Sequence, residues 1–477
     1  MKENAKDSPN RQELSTGIDL LSIASLWFIG LFITNPFGNF PLNDDWSFGL
    51  TVKNFLETGD FRPIGWTSMP LLTHTLWGAI FCIPKGFSFE ALRFSTLTIS
   101  LGGILGAYLL IKELNGSRWL AAIVALTIAF NPIYYALSNT FMTDVPFAAT
   151  MILAVLFLTR SLRRDSDLDL LVGSALIVAA TLNRQLGIAI PLAFAVSFIL
   201  KNGFTSRGIV RALIPSILSI GALLIFEQWL AATDRLPALY SAKSETLIRA
   251  VTDPKTLFNF VRNSFIALLY LGWFMLPALA FVSGSICINL KSKTTTRLAL
   301  LITALAVLVL LSVILWHQSF QLMPLGNNIL NAAGIGPFTL RDTIILYAAP
   351  HVATLPNNFW LTITVFSLFG GTLLMTGAGI IAIRILPIFW PGKMNRNQAA
   401  SAFLFLSAAI YMAPLLVHGF FDRYLIAAVP LLAAGILSLS VEKHVQDRRT
   451  GEWLFPVVAS VLIGFFSSFQ SAVHETT

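Results

Sequence analysis

Apolar runs of roughly 17 to 25 residues recur along this chain, and they constrain its fold more than any motif does. A helix needs about 20 apolar residues to cross the hydrocarbon core of a bilayer, and in lipid every backbone N–H and C=O must be bonded within the protein. The runs fall near 17–36, 93–111, 119–137, 143–160, 168–182, 185–200, 209–231, 264–290, 298–316, 361–385, 399–417, 424–440 and 452–470. Only 12% of the residues are charged, against about 25% in a soluble protein. The pattern predicts an all-α polytopic membrane protein with about thirteen transmembrane helices rather than a barrel.

The formal net charge of +8 is spread through short loops, so it records orientation and not nucleic-acid binding. Cys82 and Cys287, the only cysteines, lie far apart in apolar stretches and indicate neither a disulfide framework nor a metal cluster. No small-residue cleavage site follows the first run, which reads as a retained helix and not a removed signal peptide. There is no P-loop, GxGxxG or serine elbow, so an activated donor would have to arrive in a form other than a nucleotide.

One further run, 70–84, is short, broken by Pro70 and Pro84, and carries His74. If it crosses, Arg160, Arg163 and Arg164 fall outside. If it stays on the outer side, every later basic loop falls inside, as the positive-inside rule requires. With the N-terminus inside, the non-crossing choice puts Asp44, Asp45, His74, Asp144, Arg184, Arg341, Asp342, Asp422 and Arg423 on one face. Any chemistry belongs to the outer face.

The first outer loop opens Asn43-Asp44-Asp45-Trp46, and Phe48, Val52, Phe55 and Leu56 then follow at helical spacing, with Thr51, Lys53, Asn54 and Glu57 opposite. Asn and Asp here are suited to capping that helix, and two adjacent carboxylates are equally suited to acid–base work. Asp144, in Phe141-Met142-Thr143-Asp144-Val145-Pro146, has the same two readings, cap or functional acid at the membrane border. Arg184 interrupts an apolar stretch too long for one span; its guanidinium either snorkels or binds phosphate. Arg423 pairs with Asp422 or does the same, and Arg341 stands beside Asp342. His74, His317, His351 and His418 map outside without ligand spacing, so a divalent metal is admitted but not required. Gly102-x-x-x-Gly106 and the glycines of 370–379 read as helix-packing notches.

The order of these features resembles the GT-C membrane glycosyltransferases. More narrowly it resembles the family 39-like bacterial relatives of the protein O-mannosyltransferases and of the aminoarabinose transferase acting on lipid A. The resemblance is carried by Asn43-Asp44-Asp45-Trp46, Phe141 to Pro146, Leu182-Asn183-Arg184-Gln185, Gly336-Pro337-Phe338-Thr339-Leu340 and Asp422-Arg423-Tyr424-Leu425. Where relatives have Lys-Pro-Pro and then Tyr-Trp, this chain has Thr67-Ser68-Met69-Pro70 and continues to His74 and Trp77. The aminoarabinose specificity is therefore not carried over.

The resemblance implies a polyprenyl-phosphate-linked sugar as donor and a hydroxyl of a lipid, glycan or protein of the cell envelope as acceptor, with inversion. It makes Asp44 the general base, with Asp45 and Asp144 completing the acidic set. Arg184 and Arg423 would contact the lipid phosphate, and His74, Arg341, Asp422 and Tyr424 would line the substrate site. It implies a catalytic module over 1–231 and a variable region over 232–477, in an inner (plasma) membrane with the site facing the periplasm or exterior. The competing class is a transporter or flippase of lipid-linked sugars, which would bury charged residues mid-span in related halves with broken helices.

Overall fold

The computed structural model describes residues 9–250, 253–289, 322–326, 328–331, 334–335, 355–417 and 420–440. The chain runs through α1 (Pro9–Thr34), α2 (Asp45–Thr58), α3 (Leu72–Cys82), α4 (Phe89–Glu113), α5 (Arg118–Ala129), α6 (Pro132–Ser138) and α7 (Asp144–Arg164). It continues through α8 (Asp167–Asn183), α9 (Ala189–Asn202), α10 (Ser206–Ala232), α11 (Ala238–Ala250), α12 (Thr256–Phe274) and α13 (Leu276–Asn289). The last described helices are α14 (Asn357–Ile385), α15 (Arg396–Val417) and α16 (Ala428–Ser440). A two-residue antiparallel bridge joins Leu330–Asn331 to Gly334–Ile335. Among the described residues, the all-α architecture expected from the apolar runs is the one observed.

Among the described residues, 8 helices are long and apolar enough to span a bilayer. The run 119–137 is a bent pair, α5 and α6 meeting at 61°. The local cause is Asn131-Pro132, where the Asn131 side chain accepts the N–H groups of Ile133 and Tyr134 and caps a new helix instead of continuing the old one. The run 168–182 is α8, 17 residues long. The run 264–290 divides at Met275 into α12 and α13, and 424–440 opens as a 3-10 turn, Asp422–Ala427, before α16. The runs 298–316 and 452–470 lie outside the described residues.

The non-crossing choice for 70–84 agrees with the structure. Helix α3 has 11 residues, about 16 Å of helix, which is half of a hydrocarbon core. The break at Asn183–Arg184 is also present: α8 ends, Arg184 is extended at φ −140°, and a 3-10 turn leads into α9.

Helix α7 packs on both α4 and α8. Small residues allow the approach to α4. A Cβ on Gly103 would lie 2.7 Å from the Ala149 Cβ, and one on Gly106 would lie 2.8 Å from Leu153. Gly102, the first glycine of the expected notch, is 4.0 Å from its nearest neighbour, so the close contact belongs to Gly103 and Gly106. Gly370 does serve as a notch, its backbone meeting Gly272 of α12 so closely that no side chain fits at either position. Helix α15 packs on α7 and α9, and the Asp422–Ala427 turn packs on α7. Residues from both halves of the chain therefore meet at the start of α7.

Candidate active site

The loop between α1 and α2 is held in place from beneath by a buried side chain. Arg93, at the first turn of α4, reaches back with Nη1 to the carbonyls of Pro36 (3.3 Å) and Gly38 (3.0 Å) and with Nη2 to Phe40 (2.5 Å). Its guanidinium also lies 4.4 Å from the centre of the Phe40 ring. Sequence reasoning treated residue 93 as the start of a span and missed this role; an arginine in the first turn of an apolar run was the signal.

Helix α2 then buries Phe48 and Val52 against the core. Thr51, expected on the polar face, is buried too, and its hydroxyl accepts the Ile64 N–H at 3.4 Å. The helix thus buries one broad face, while Leu50, Lys53 and Glu57 stay exposed on the other.

The adjacent carboxylates have different surroundings. Asp45 is fully buried: Oδ1 accepts the Leu42 N–H at 2.6 Å and Oδ2 accepts the Phe141 N–H at 3.1 Å. It ties the first loop to the turn that leads into Asp144. Asp44 stands at the N-cap position but makes no capping hydrogen bond. Its side chain is 27% exposed, receives the Trp66 indole N–H at 3.3 Å on Oδ1, and pairs with Arg423 Nη1 at 3.2 Å on Oδ2. Capping does not account for Asp44.

Asp144 opens α7 and is 1% exposed. Arg184 Nη1 donates to its Oδ1, and Arg423 Nε lies 3.9 Å from the same oxygen. Asp144 Oδ2 and Arg423 Nε are buried without a hydrogen-bond partner. The Tyr424 ring lies under both guanidiniums, 5.1 Å from Arg184 and 5.7 Å from Arg423. Asp44, Asp144, Arg184, Arg423 and Tyr424 thus form one cluster from four distant segments. Its two carboxylates and two guanidiniums balance in charge, and only the Asp44 edge opens to the surroundings.

The other candidates lie around that cluster. His74 is 1% exposed, stacks on Phe141 at 3.9 Å, and has Nε2 3.1 Å from the Phe141 carbonyl. Burial pushes its pKa down to about 4, so it is a neutral part of the wall. Asp422 does not pair with Arg423, the simplest expectation for it. It is fully buried, and its carboxylate accepts the N–H groups of Ile329 (3.2 Å) and Leu330 (2.7 Å), fastening that stretch beside the cluster. Arg341 and Asp342 lie outside the described residues.

Burial pushes both Asp45 and Asp422 up to about 7, against the backbone N–H groups that favour their charged forms. The folded chain therefore holds these two protons more tightly than the unfolded chain. Their effect on stability is most favourable below the ordinary carboxylate range, near pH 4, and is lost as pH rises to about 7. The melting temperature should fall between about pH 4 and about pH 7, and Asp422→Asn should remove part of that fall.

Among the described residues, no three His, Cys, Asp or Glu side chains converge so that they could hold a metal ion. His317, His351 and His418 lie outside the described residues.

Residues 68–231 match the sequence model of the family described as dolichyl-phosphate-mannose-protein mannosyltransferase. That segment contains His74, Asp144 and Arg184, and Asp44 and Arg423 lie to either side of it. The chain is also similar to two solved structures. One is ArnT from Cupriavidus metallidurans bound to undecaprenyl phosphate, with 12% identity, a TM-score of 0.42, and 96% of this chain and 63% of that one covered. The other is the archaeal oligosaccharyltransferase AglB from Archaeoglobus fulgidus with an inhibitory peptide and a dolichol-phosphate, with 15% identity, a TM-score of 0.42, and 95% and 55% covered. The chain spans less than two thirds of the length of either. No curated protein matches it.

Proposed function

We propose that this chain, a member of the GT-C superfamily by its matched segment, moves one sugar from a polyprenyl-phosphate carrier to a hydroxyl acceptor on the outer face of a cell membrane. That it is a membrane glycosyltransferase rests on the family match and the apolar helices. The family's description supports a lipid-phosphate donor, and the acceptor proposed is a lipid, glycan or protein hydroxyl.

The observation that carries this reading is the pairing of a partly exposed Asp44 with Arg423, beside the buried Asp144–Arg184 pair. A donor phosphodiester competes with Asp44 for Arg423, and guanidinium forks suit phosphate oxygens. Releasing Asp44 from Arg423 frees its carboxylate oxygen to accept a proton. The acceptor hydroxyl gives its proton to Asp44 while its oxygen attacks the anomeric carbon from the face opposite the phosphate. The bond from that carbon to the phosphate oxygen breaks, and polyprenyl phosphate leaves with the electron pair. Arg423 and Arg184 stabilise the charge that grows on it. Asp144 keeps both guanidiniums oriented. Asp45 and His74 hold the loops in place and take no part in proton transfer.

One observation favours the transporter or flippase reading: Arg184 sits in a broken helix, a device used for ion and substrate sites in transporters. Purified protein in vesicles with a polyprenyl-phosphate sugar separates the two. Acceptor-dependent release of polyprenyl phosphate supports transfer, whereas movement of intact donor across the bilayer without release supports flipping. In the transfer assay, Arg423→Ala should raise the donor concentration needed by about tenfold or more while changing the acceptor requirement little.

A further inference from the structure

Among the described residues, the far end of α7 carries more positive charge than the side chains around it neutralise. From Asp144 to Arg164 the helix has 21 residues, about 30 Å of rise, so this end lies on the opposite face from the candidate active site. There Glu113, 5% exposed, meets three guanidiniums. Arg164 takes both of its oxygens, Arg163 donates to Oε1 at 3.3 Å and to Asn397 Oδ1 at 3.1 Å, and Arg160 Nε stands 3.6 Å from Oε2. The Nε atoms of Arg160 and Arg163 are buried without a hydrogen-bond partner. The nearby acids are committed elsewhere, Asp165 to Lys201 at 2.7 Å and Asp167 to Arg211 at 2.7 Å. Among the described residues, one carboxylate among three guanidiniums leaves two positive charges and several donors unmatched.

The same cations end two apolar stripes. On α7, Leu153, Phe157, Arg160 and Arg164 follow at intervals of four, three and four, which is one helix face. Leu153, Phe157 and Arg160 are half-buried, and Arg164 is exposed. The Arg160 guanidinium lies 5.4 Å from the centre of the Phe157 ring. On α4, Leu109 precedes Lys112 in the last turn, and both are half-buried. The contacts of Gly103 with Ala149, Gly106 with Leu153 and Glu113 with Arg160 keep the two helices side by side and in step. Apolar surface within the bilayer thus leads directly to a cationic cluster at its edge.

We propose that this is a binding site for one anionic phospholipid on the membrane face opposite the candidate active site. Its phosphate takes the vacant donors of Arg160 and the exposed side of Arg164, and an acyl chain lies along Leu153 and Phe157. Basic clusters at the ends of membrane helices attract anionic headgroups, and a zwitterionic lipid brings its own cation and gains less.

The test is lipid retention by the full chain, purified in detergent and titrated with phosphatidylglycerol, phosphatidylcholine or inorganic phosphate, with bound lipid counted by native mass spectrometry. Phosphatidylglycerol should be retained about tenfold more strongly than phosphatidylcholine. Arg160→Gln should abolish that preference, and Arg160→Lys should keep part of it. Glu113→Gln removes the one competing carboxylate and should strengthen phosphatidylglycerol binding, an outcome that a purely structural ion pair would not give. It also serves if Arg160→Gln fails to fold. Equal retention of the two lipids, a preference unchanged in Arg160→Gln, or full displacement by millimolar inorganic phosphate would overturn the proposal.

Discussion

Asp44→Asn should lower the transfer rate by about a hundredfold or more and leave the melting temperature nearly unchanged. The second half of that expectation comes from the surroundings of the residue. Asp44 is 27% exposed and makes no cap bond. An Asn Oδ1 still accepts from either Trp66 or Arg423, and Arg423 keeps the Asp144 carboxylate 3.9 Å away as counter-charge, so the stability lost is small. What is lost is the ability to take a proton from an acceptor hydroxyl. Asp45→Asn should behave in the opposite way. An amide can accept from only one of the Leu42 and Phe141 N–H groups and sets a donor against the other, so the loop loosens and the melting temperature drops. Activity and stability measured together on these neighbouring variants separate a base from a fastening.

The second large effect belongs to the Asp144–Arg184 pair. Both side chains are nine-tenths buried or more. Arg184→Ala leaves Asp144 with only the more distant Arg423, and Asp144→Ala leaves two guanidiniums facing each other over the Tyr424 ring. Breaking a buried pair from one side costs about 3–5 kcal/mol, because the remaining charge stays out of water. Replacing both partners with Leu removes that penalty and should recover much of the stability lost in either single variant. The double variant should nevertheless be inactive, since one of the two cations that receive the leaving phosphate is gone and Asp144 no longer orients the other. A denaturation series over the two single variants and the double variant gives the coupling directly.

Much of the fold was legible because membrane helices record themselves in one dimension. Runs of apolar residues and the sign of loop charges were enough to read α3 as too short to cross and to group Asp44, Asp144, Arg184 and Arg423, which the structure brings together. Contacts between those loops were not legible. Nothing local distinguishes Asp44 from Asp45, yet one faces outward and the other accepts two backbone N–H groups in the interior. Asp422 and Arg423 looked like a pair because they are adjacent, and both bond to distant segments instead. His74 invited a ligand or metal reading because a histidine in an apolar run is conspicuous; its stacking on Phe141 is a tertiary contact with no sequence signal. Arg93 was hidden for the reverse reason, since a single cation at the head of a span looks like an ordinary membrane anchor.

The most direct test follows both products of a single reaction. Purified chain is supplied with a polyprenyl-phosphate sugar of known anomeric configuration and a soluble hydroxyl acceptor, and polyprenyl phosphate and the new glycoside are measured together. The parent chain should release one polyprenyl phosphate for each glycoside formed, with the anomeric centre inverted, and Asp44→Asn should form neither. Retained configuration, or full turnover by a folded Asp44→Asn chain, would contradict a base at Asp44.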